Sequence, residues 1–420
     1  MEEAVVVLKT NEKEKSSSVP SDEAIRNVEI STMRISDGKQ RKEKQRLWLK
    51  RPMTARLVFH GKSSEKKMVL LEGRAPAQAT KDGTRLVKVR QSTISTHDID
   101  FVDEKREVTC PCLLGQEALF EMVNDQHGEE TIAPGTRIVA NTFSPVEFGQ
   151  TALERKGGRW AGSWGTHVLL TSESFIVEIP EGLSEFAATT AHTMALAWAA
   201  CRDILERDEP ATIVVQGAGL LGLYCCAILS RHAFSVFCTE KSSKRLRLVT
   251  EFGGVPLHPS LAGPIDSKAS TVIECCGDPL APSQAYNWMG TGSRYIIMGL
   301  SGSQEKISLS GAQIIKKGIT IMGVDRYTNE DLESAVEFLS LNQTRYPWHK
   351  LAGPNFDLHE WESAFSTVRA GEYYRSLFRP LSEIKERTAS ATALALEKEM
   401  SLQTSSAPEP KSVSDSQIPL

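Results

Sequence analysis

The stretch "IVVQGAGLLGLYCCAIL", residues 213–229, decides the fold. It sets an apolar strand, the glycines Gly217, Gly219 and Gly222, and an apolar helix directly one after another. That G-x-G-x-x-G spacing has a mechanical reading. The first glycine makes a tight turn, the second lets backbone approach a pyrophosphate, and the third lets helix and strand pack closely. Leu220 and Leu221 open the helix, where free N–H groups and a partial positive charge face the phosphates. A lone glycine triplet is weak evidence, but this one has the strand and helix it needs. The next apolar run ends in Glu240, near the roughly 20-residue offset of a ribose-binding acid. A carboxylate there accepts from both ribose hydroxyls and repels a 2′-phosphate, so NAD is the expected cofactor. Lys241, Lys244 and Arg245 follow at once and can neutralise that charge, so NADP stays open.

Outward from the cradle, the runs 211–216, 235–240, 270–276, 293–299 and 319–324 are continuously apolar. Such strands are buried on both faces of a parallel sheet. Gly299 ends the fourth run and belongs with the expected cofactor residues. Before the cradle, "SEFAATTAHTMALAWAACRDILE" (184–206) reads as one long apolar helix capped by Ser184. From residue 53 to about 185 the pattern is short strands and turns, as in "TRLVKVRQSTI" (84–94) and "PGTRIVAN" (134–141). Residues 358–380 read as a helix followed by a strand. Only nine residues separate "GGVPLHPS" from "STVIECC", too few for a full crossover helix, so one wall of the nucleotide domain is expected to be thin.

The 420-residue chain is 40% apolar and 24% charged, with a formal net charge of −4. These values fit a soluble multidomain protein and give no reason to expect nucleic-acid or membrane binding. Residues 1–52 and 381–420 are polar and read as disordered tails, the first closing on the basic run "KQRKEKQRLWLKRP". The eight cysteines include the neighbours Cys225–Cys226 and Cys275–Cys276 and no C-x-x-C. Free thiols in a reducing, cytoplasmic location explain this better than disulfides.

The order of these segments resembles the medium-chain, zinc-type alcohol dehydrogenases, over about residues 54–380. The carriers are "VRQSTISTHDID", "LLGQE", "PGTRIV", "GSWGTHVLL", "VVQGAGLLGLY", "VIECCGDP" and "IIMGL". The resemblance implies an α/β protein: a GroES-like, mainly-β catalytic domain (53–185 and 341–380) plus a Rossmann doubly wound nucleotide-binding domain (186–340). A homodimer is among its implications. It also marks departures. Where relatives carry a ligating cysteine, this chain has Ser95; where they carry Gly-His-Glu, it has Gly115-Gln116-Glu117. The third ligand position falls on Thr193 or His192, and "NTFSPVEFGQTALERKGG" spans the lobe of a second, structural zinc without one cysteine. Hydroxyls and a carboxamide are poor zinc ligands, so no zinc is expected. Cys110 and Cys112 in "TCPCLLGQEALF" precede the ligand position and have no third soft partner. A displaced set of His97, Glu117 and His192 is chemically legitimate, although a one-residue shift on a helix turns a side chain by ~100°.

His97 stands where relatives have their proton-relay hydroxyl. An imidazole of ordinary pKa, ~6.5, would exchange a proton near neutrality, and Gln116 would add a hydrogen bond to the same substrate oxygen. His97, Gln116 and Ser95 are therefore the candidate catalytic residues. Two functions follow. One is a zinc-independent NAD(P)-dependent oxidoreductase acting on a small carbonyl or alcohol; the other is a non-catalytic dinucleotide-binding sensor or scaffold.

Overall fold

In the computed structural model the apolar runs become strands of one parallel sheet. The structure describes residues 53–61, 67–74, 85–106, 110, 112–125, 132–141, 162–170, 174–207, 211–232, 234–259, 268–299 and 309–380. The sheet's order is Val255–Leu257, Phe234–Thr239, Ala211–Gln216, Ala269–Glu274, Met289–Ile297, Thr320–Gly323, and every pair is parallel. This is the 3-2-1-4-5-6 order of a doubly wound nucleotide-binding sheet. The direction of winding reverses between Ala211–Gln216 and Ala269–Glu274. A ligand crevice belongs at the carboxyl ends of those strands. The short strand Val255–Leu257 had no sequence signal, because Pro256 interrupts it and Val255 is exposed. The tails, the cysteine-free lobe from 142 on, and the short crossover over 260–267 lie outside the described residues.

Two helices pack the cradle from behind. Leu220–Leu229 buries almost its whole circumference, Leu221 excepted. Ala191–Leu205 lies against it and against Asn329–Leu341, with Arg202 Nη1 2.9 Å from Asp331 Oδ2. Asp331 also closes a capping box with Thr328, so one carboxylate both starts its own helix and ties down its neighbour. The single helix expected over 184–206 is in fact two, Glu185–Thr189 and Ala191–Leu205. Thr190 breaks it at φ −92°, ψ 12°. Its hydroxyl bonds back to Phe186 O (3.0 Å) and meets Tyr224 Oη at 2.6 Å, a local bond that competes with helix continuation.

Most of the remaining strands form a second sheet around Arg85–Ile94. That strand pairs antiparallel with Ala118–Asp125, His167–Leu170 and Arg375–Phe378. Ala352–Phe356 joins in parallel beyond Arg375–Phe378, so the end of the described chain completes a sheet begun near its start. A smaller sheet carries Met53–Phe59 between Met68–Arg74 and Cys112–Leu113. Trp164 is fully buried between Phe365 and Phe378, at ring distances of 5.3 and 5.4 Å. It pins the helix Trp361–Ala370 to the sheet, and removing such a ring costs about 3–5 kcal/mol. Among the described residues, no helix is long and apolar enough to cross a membrane.

Candidate functional site

The three cradle glycines have different physical reasons to be glycine. Gly217 turns at φ 102°, and a Cβ there would lie 2.8 Å from Cys276 Cβ. A Cβ on Gly222 would lie 1.9 Å from Gly217 O. The protein's own packing fixes both. A Cβ on Gly219 meets nothing within 4 Å. Gly219 instead borders a cleft of about 530 Å³, together with Gly217, Leu220 and Leu221. It caps its helix with no side-chain hydrogen bond, and the first in-helix donor is Leu223 N, to Gly219 O. The N–H groups of Leu220, Leu221 and Gly222 thus remain free of the helix ladder. A pyrophosphate fits this cradle.

Glu240 stands just past the strand Phe234–Thr239, on the same cleft. Its oxygens accept from Ala218 N (3.0 Å) and Ser242 N (2.8 Å). Of the three cations behind it, Lys241 and Arg245 line the same cleft and Lys244 does not, and all three have partners. Lys241 pairs with Asp278, Lys244 Nζ donates to Glu372 O (3.1 Å), and Arg245 Nη2 donates to Gly371 O (3.3 Å). Arg245 borders the cleft; Gly299 does not. A Cβ on Gly299 would lie 2.2 Å from Gly277 N and 2.4 Å from Glu274 Oε1, so its reason to be glycine is local packing.

At Ser95 and Thr193, two hydroxyls satisfy two buried carboxylates. Ser95 caps the helix Thr96–Val102 in a capping box with Asp98, its Oγ donating to Asp98 Oδ2 at 2.6 Å. Gly115 N adds a bond to Asp98 Oδ1 at 3.2 Å. Burial raises the Asp98 pKa, and these bonds oppose it. Glu117 is 4% exposed and accepts from Thr193 N (3.0 Å), Thr193 Oγ1, Thr93 Oγ1 (2.7 Å) and Arg375 Nε (3.2 Å). Burial pushes the Glu117 carboxyl up, but Arg375, then His192 and the two threonine hydroxyls, hold it below the usual range. Ser95, expected among the catalytic residues, is the cap of this helix, with its hydroxyl bonded to Asp98. The displaced zinc set also fails to assemble, since Glu117 has both oxygens engaged and His192 Nδ1 meets Tyr327 Oη at 2.9 Å. Among the described residues, no group of three His, Cys, Asp or Glu is placed to hold a metal. Hydroxyls already committed to carboxylates do not fit zinc.

His97 departs from its expected chemistry. Burial, then the charges of Arg106, His192 and Arg375, lower its pKa to about 4. The ring is neutral at pH 7, edge-on to Phe101 at 4.9 Å. A neutral imidazole still donates through N–H, but it is not a proton store near neutrality. Gln116 is half-buried and makes no hydrogen bond among the described residues. The cleft wall runs through Ile94 and Thr96, beside Ser95 and His97, and not through His97 or Gln116. It does include Arg375, Tyr373, Tyr374 and Ser376. No local sequence signal marks these residues, because only the pairing of Arg375–Phe378 with Arg85–Ile94 brings "EYYRS" to the site. The eight cysteines are free, with Cys275 and Cys276 on the cleft.

A doubly wound sheet with a phosphate cradle, joined to a β-rich domain that closes one cleft with it, defines the two-domain dinucleotide-binding dehydrogenase fold. The family profile "Zinc-binding dehydrogenase" matches residues 221–340. A sorbitol dehydrogenase of Halalkalibacterium halodurans is 24% identical over 318 residues, 70% of this chain and 91% of that one. An alcohol dehydrogenase of Thermotoga maritima superposes with TM-score 0.68 at 20% identity, over 78% of this chain and 99% of its own. An alcohol dehydrogenase of Escherichia coli CFT073 in complex with NADH gives 0.64 at 17%, with the same coverage. The chain is thus similar in sequence to zinc-binding dehydrogenases over residues 221–340 and shares the fold of the alcohol dehydrogenases.

Proposed function

We propose that the chain is an NAD-preferring oxidoreductase that reduces or oxidises a small carbonyl or alcohol without zinc. The observation that carries this is the single cleft running from an open phosphate cradle at Gly219 to Thr96 and Arg375. When bound, the nicotinamide cofactor supplies or accepts a hydride. The chain's own groups then deal with the substrate oxygen. We assign that oxygen to the neutral His97 N–H, next in the chain to the cleft-lining Thr96, and to the Gln116 carboxamide, neither of them bonded to a carboxylate among the described residues. A positioned donor of this kind is worth roughly 10²–10⁴-fold, enough for an activated carbonyl or enone. Preference for NAD is supported by Glu240, whose neighbouring cations pair with Asp278 and with backbone carbonyls.

One observation favours a second reading, a dinucleotide-binding sensor. Ser95 and Thr193 are committed to Asp98 and Glu117, which removes two hydroxyls from any reaction. Titrating the chelator-treated protein with NADH and NADPH, then screening aldehydes, ketones and quinones, separates the two. Oxidation of bound NADH by one substrate class supports the enzyme. Tight binding without turnover across the screen supports the sensor.

A further inference from the structure

Tyr374 reaches the cofactor cleft from the second sheet's side, at the turn before the strand Arg375–Phe378. The turn is set by Gly371, which ends the helix Trp361–Ala370 in the left-handed region at φ 67°. Two contacts hold the turn against the nucleotide-binding side. Arg245 Nη2 donates to Gly371 O, and the Arg245 guanidinium lies 5.3 Å from the centre of the Tyr374 ring. Lys244 makes a looser version of the same contact with Tyr373, at 5.8 Å. The ring of Tyr374 packs against the main apolar core, while its hydroxyl is buried with no hydrogen-bond partner among the described residues. A buried hydroxyl without a partner is an unusual expense in a native protein. Burial, countered by Arg245, pushes this phenol up to about 12, so it is protonated and able to donate. Glu240 borders the same cleft and acts on the same phenol.

We infer that the Tyr374 hydroxyl hydrogen-bonds an adenosine ribose hydroxyl of the bound dinucleotide, opposite Glu240. The inference rests on the cofactor reading above and assigns a specificity contact from the other lobe. Glu240 accepts from the ribose, and Tyr374 donates to it. Binding of the ribose then fastens the Gly371–Tyr374 turn onto the cofactor.

Calorimetric titration of the full chain with NADH and ADP-ribose tests it, using wild type and Tyr374→Phe. The phenylalanine keeps the ring over Arg245 and removes only the hydroxyl. Kd is expected to rise about 3- to 10-fold for both probes, the scale of one hydrogen bond. The melting temperature without cofactor should not fall. With an NAD analogue whose adenosine ribose lacks both hydroxyls, the two proteins should bind equally. Equal affinity of wild type and variant for NADH overturns the inference. So does an undiminished loss with the analogue, which would put the contact elsewhere. Failure of the wild type to bind NADH at all removes the cofactor reading, and this one with it.

Discussion

Glu117 and Arg375 lie 258 residues apart in the chain and meet at 3.2 Å in the structure. The pair sits beside positions where zinc-type relatives hold their metal, and it closes the second sheet around them. Glu117 is 4% exposed and the Arg375 side chain 17%, so neither charge is well solvated.

Removing one partner should therefore cost more than removing a hydroxyl. Arg375→Ala leaves a buried carboxylate uncompensated and is expected to destabilise by about 3–5 kcal/mol. Thr193→Val removes one donor from Glu117 and should cost about 1–3 kcal/mol. Chemical denaturation of both variants checks the ranking. A Thr193→Val variant as unstable as Arg375→Ala would mean that the hydroxyl, not the ion pair, holds the carboxylate.

The glycines of the cradle should separate folding from binding. Gly219→Val adds a side chain that meets no protein atom within 4 Å at its Cβ, so the melting temperature should hold while NADH binding is lost. Gly222→Ala puts a Cβ 1.9 Å from Gly217 O and should lower the melting temperature first. Thermal melts with and without NADH distinguish the two. Equal behaviour of the variants would contradict the assignment of the open side to the ligand.

Acid should weaken the fold before the carboxylates titrate. His97, His167 and His192 are each lowered to about 4, mainly by burial. Between pH 6.5 and 4 the unfolded chain binds protons that the folded one refuses, so stability falls as pH falls through that window. Asp98, raised by burial, works in the opposite direction. Melts from pH 7.5 to 4.5 should show a steady decline below 6.5, reduced in His192→Asn if that substitution folds. A flat profile would mean these rings are hydrated in solution.

Restoring the ligands should restore metal affinity. The purified wild type is expected to hold no stoichiometric zinc. Ser95→Cys, Gln116→His and Thr193→Cys together should gain zinc, but with Asp98 and Glu117 each losing a hydroxyl donor. Elemental analysis of both proteins after dialysis reads this out. One tightly held zinc per wild-type chain would reverse the account of the site.

The nucleotide-binding half was legible because its signals are local. Apolar runs gave the strands, and glycine spacing gave the turn at Gly217 and the close packing at Gly222. The helix break at Thr190 was not legible, since Tyr224 must be in place before that hydroxyl has its partner. Ser95 could be read as a lost ligand but not as the cap of Thr96–Val102, although Ser-x-x-Asp is a capping pattern. The lowered pKa of His97 was not legible, because its burial first, and then Arg106, His192 and Arg375, act on the ring only through the fold. Arg375 and Tyr374 had no local signal at all. Their place depends on a strand pairing across most of the chain.

The central claim is hydride transfer by a site that uses no metal. Chelator-treated protein, shown free of zinc, would be given NADH deuterated at the transferring position of the nicotinamide and the substrate found by screening. The account predicts deuterium in the product, an unchanged rate on adding zinc, and a fall of roughly 10²-fold or more in His97→Ala, the scale of a lost positioned donor. Transfer that appears only when zinc is added would contradict it, as would a His97→Ala variant that transfers deuterium at the wild-type rate.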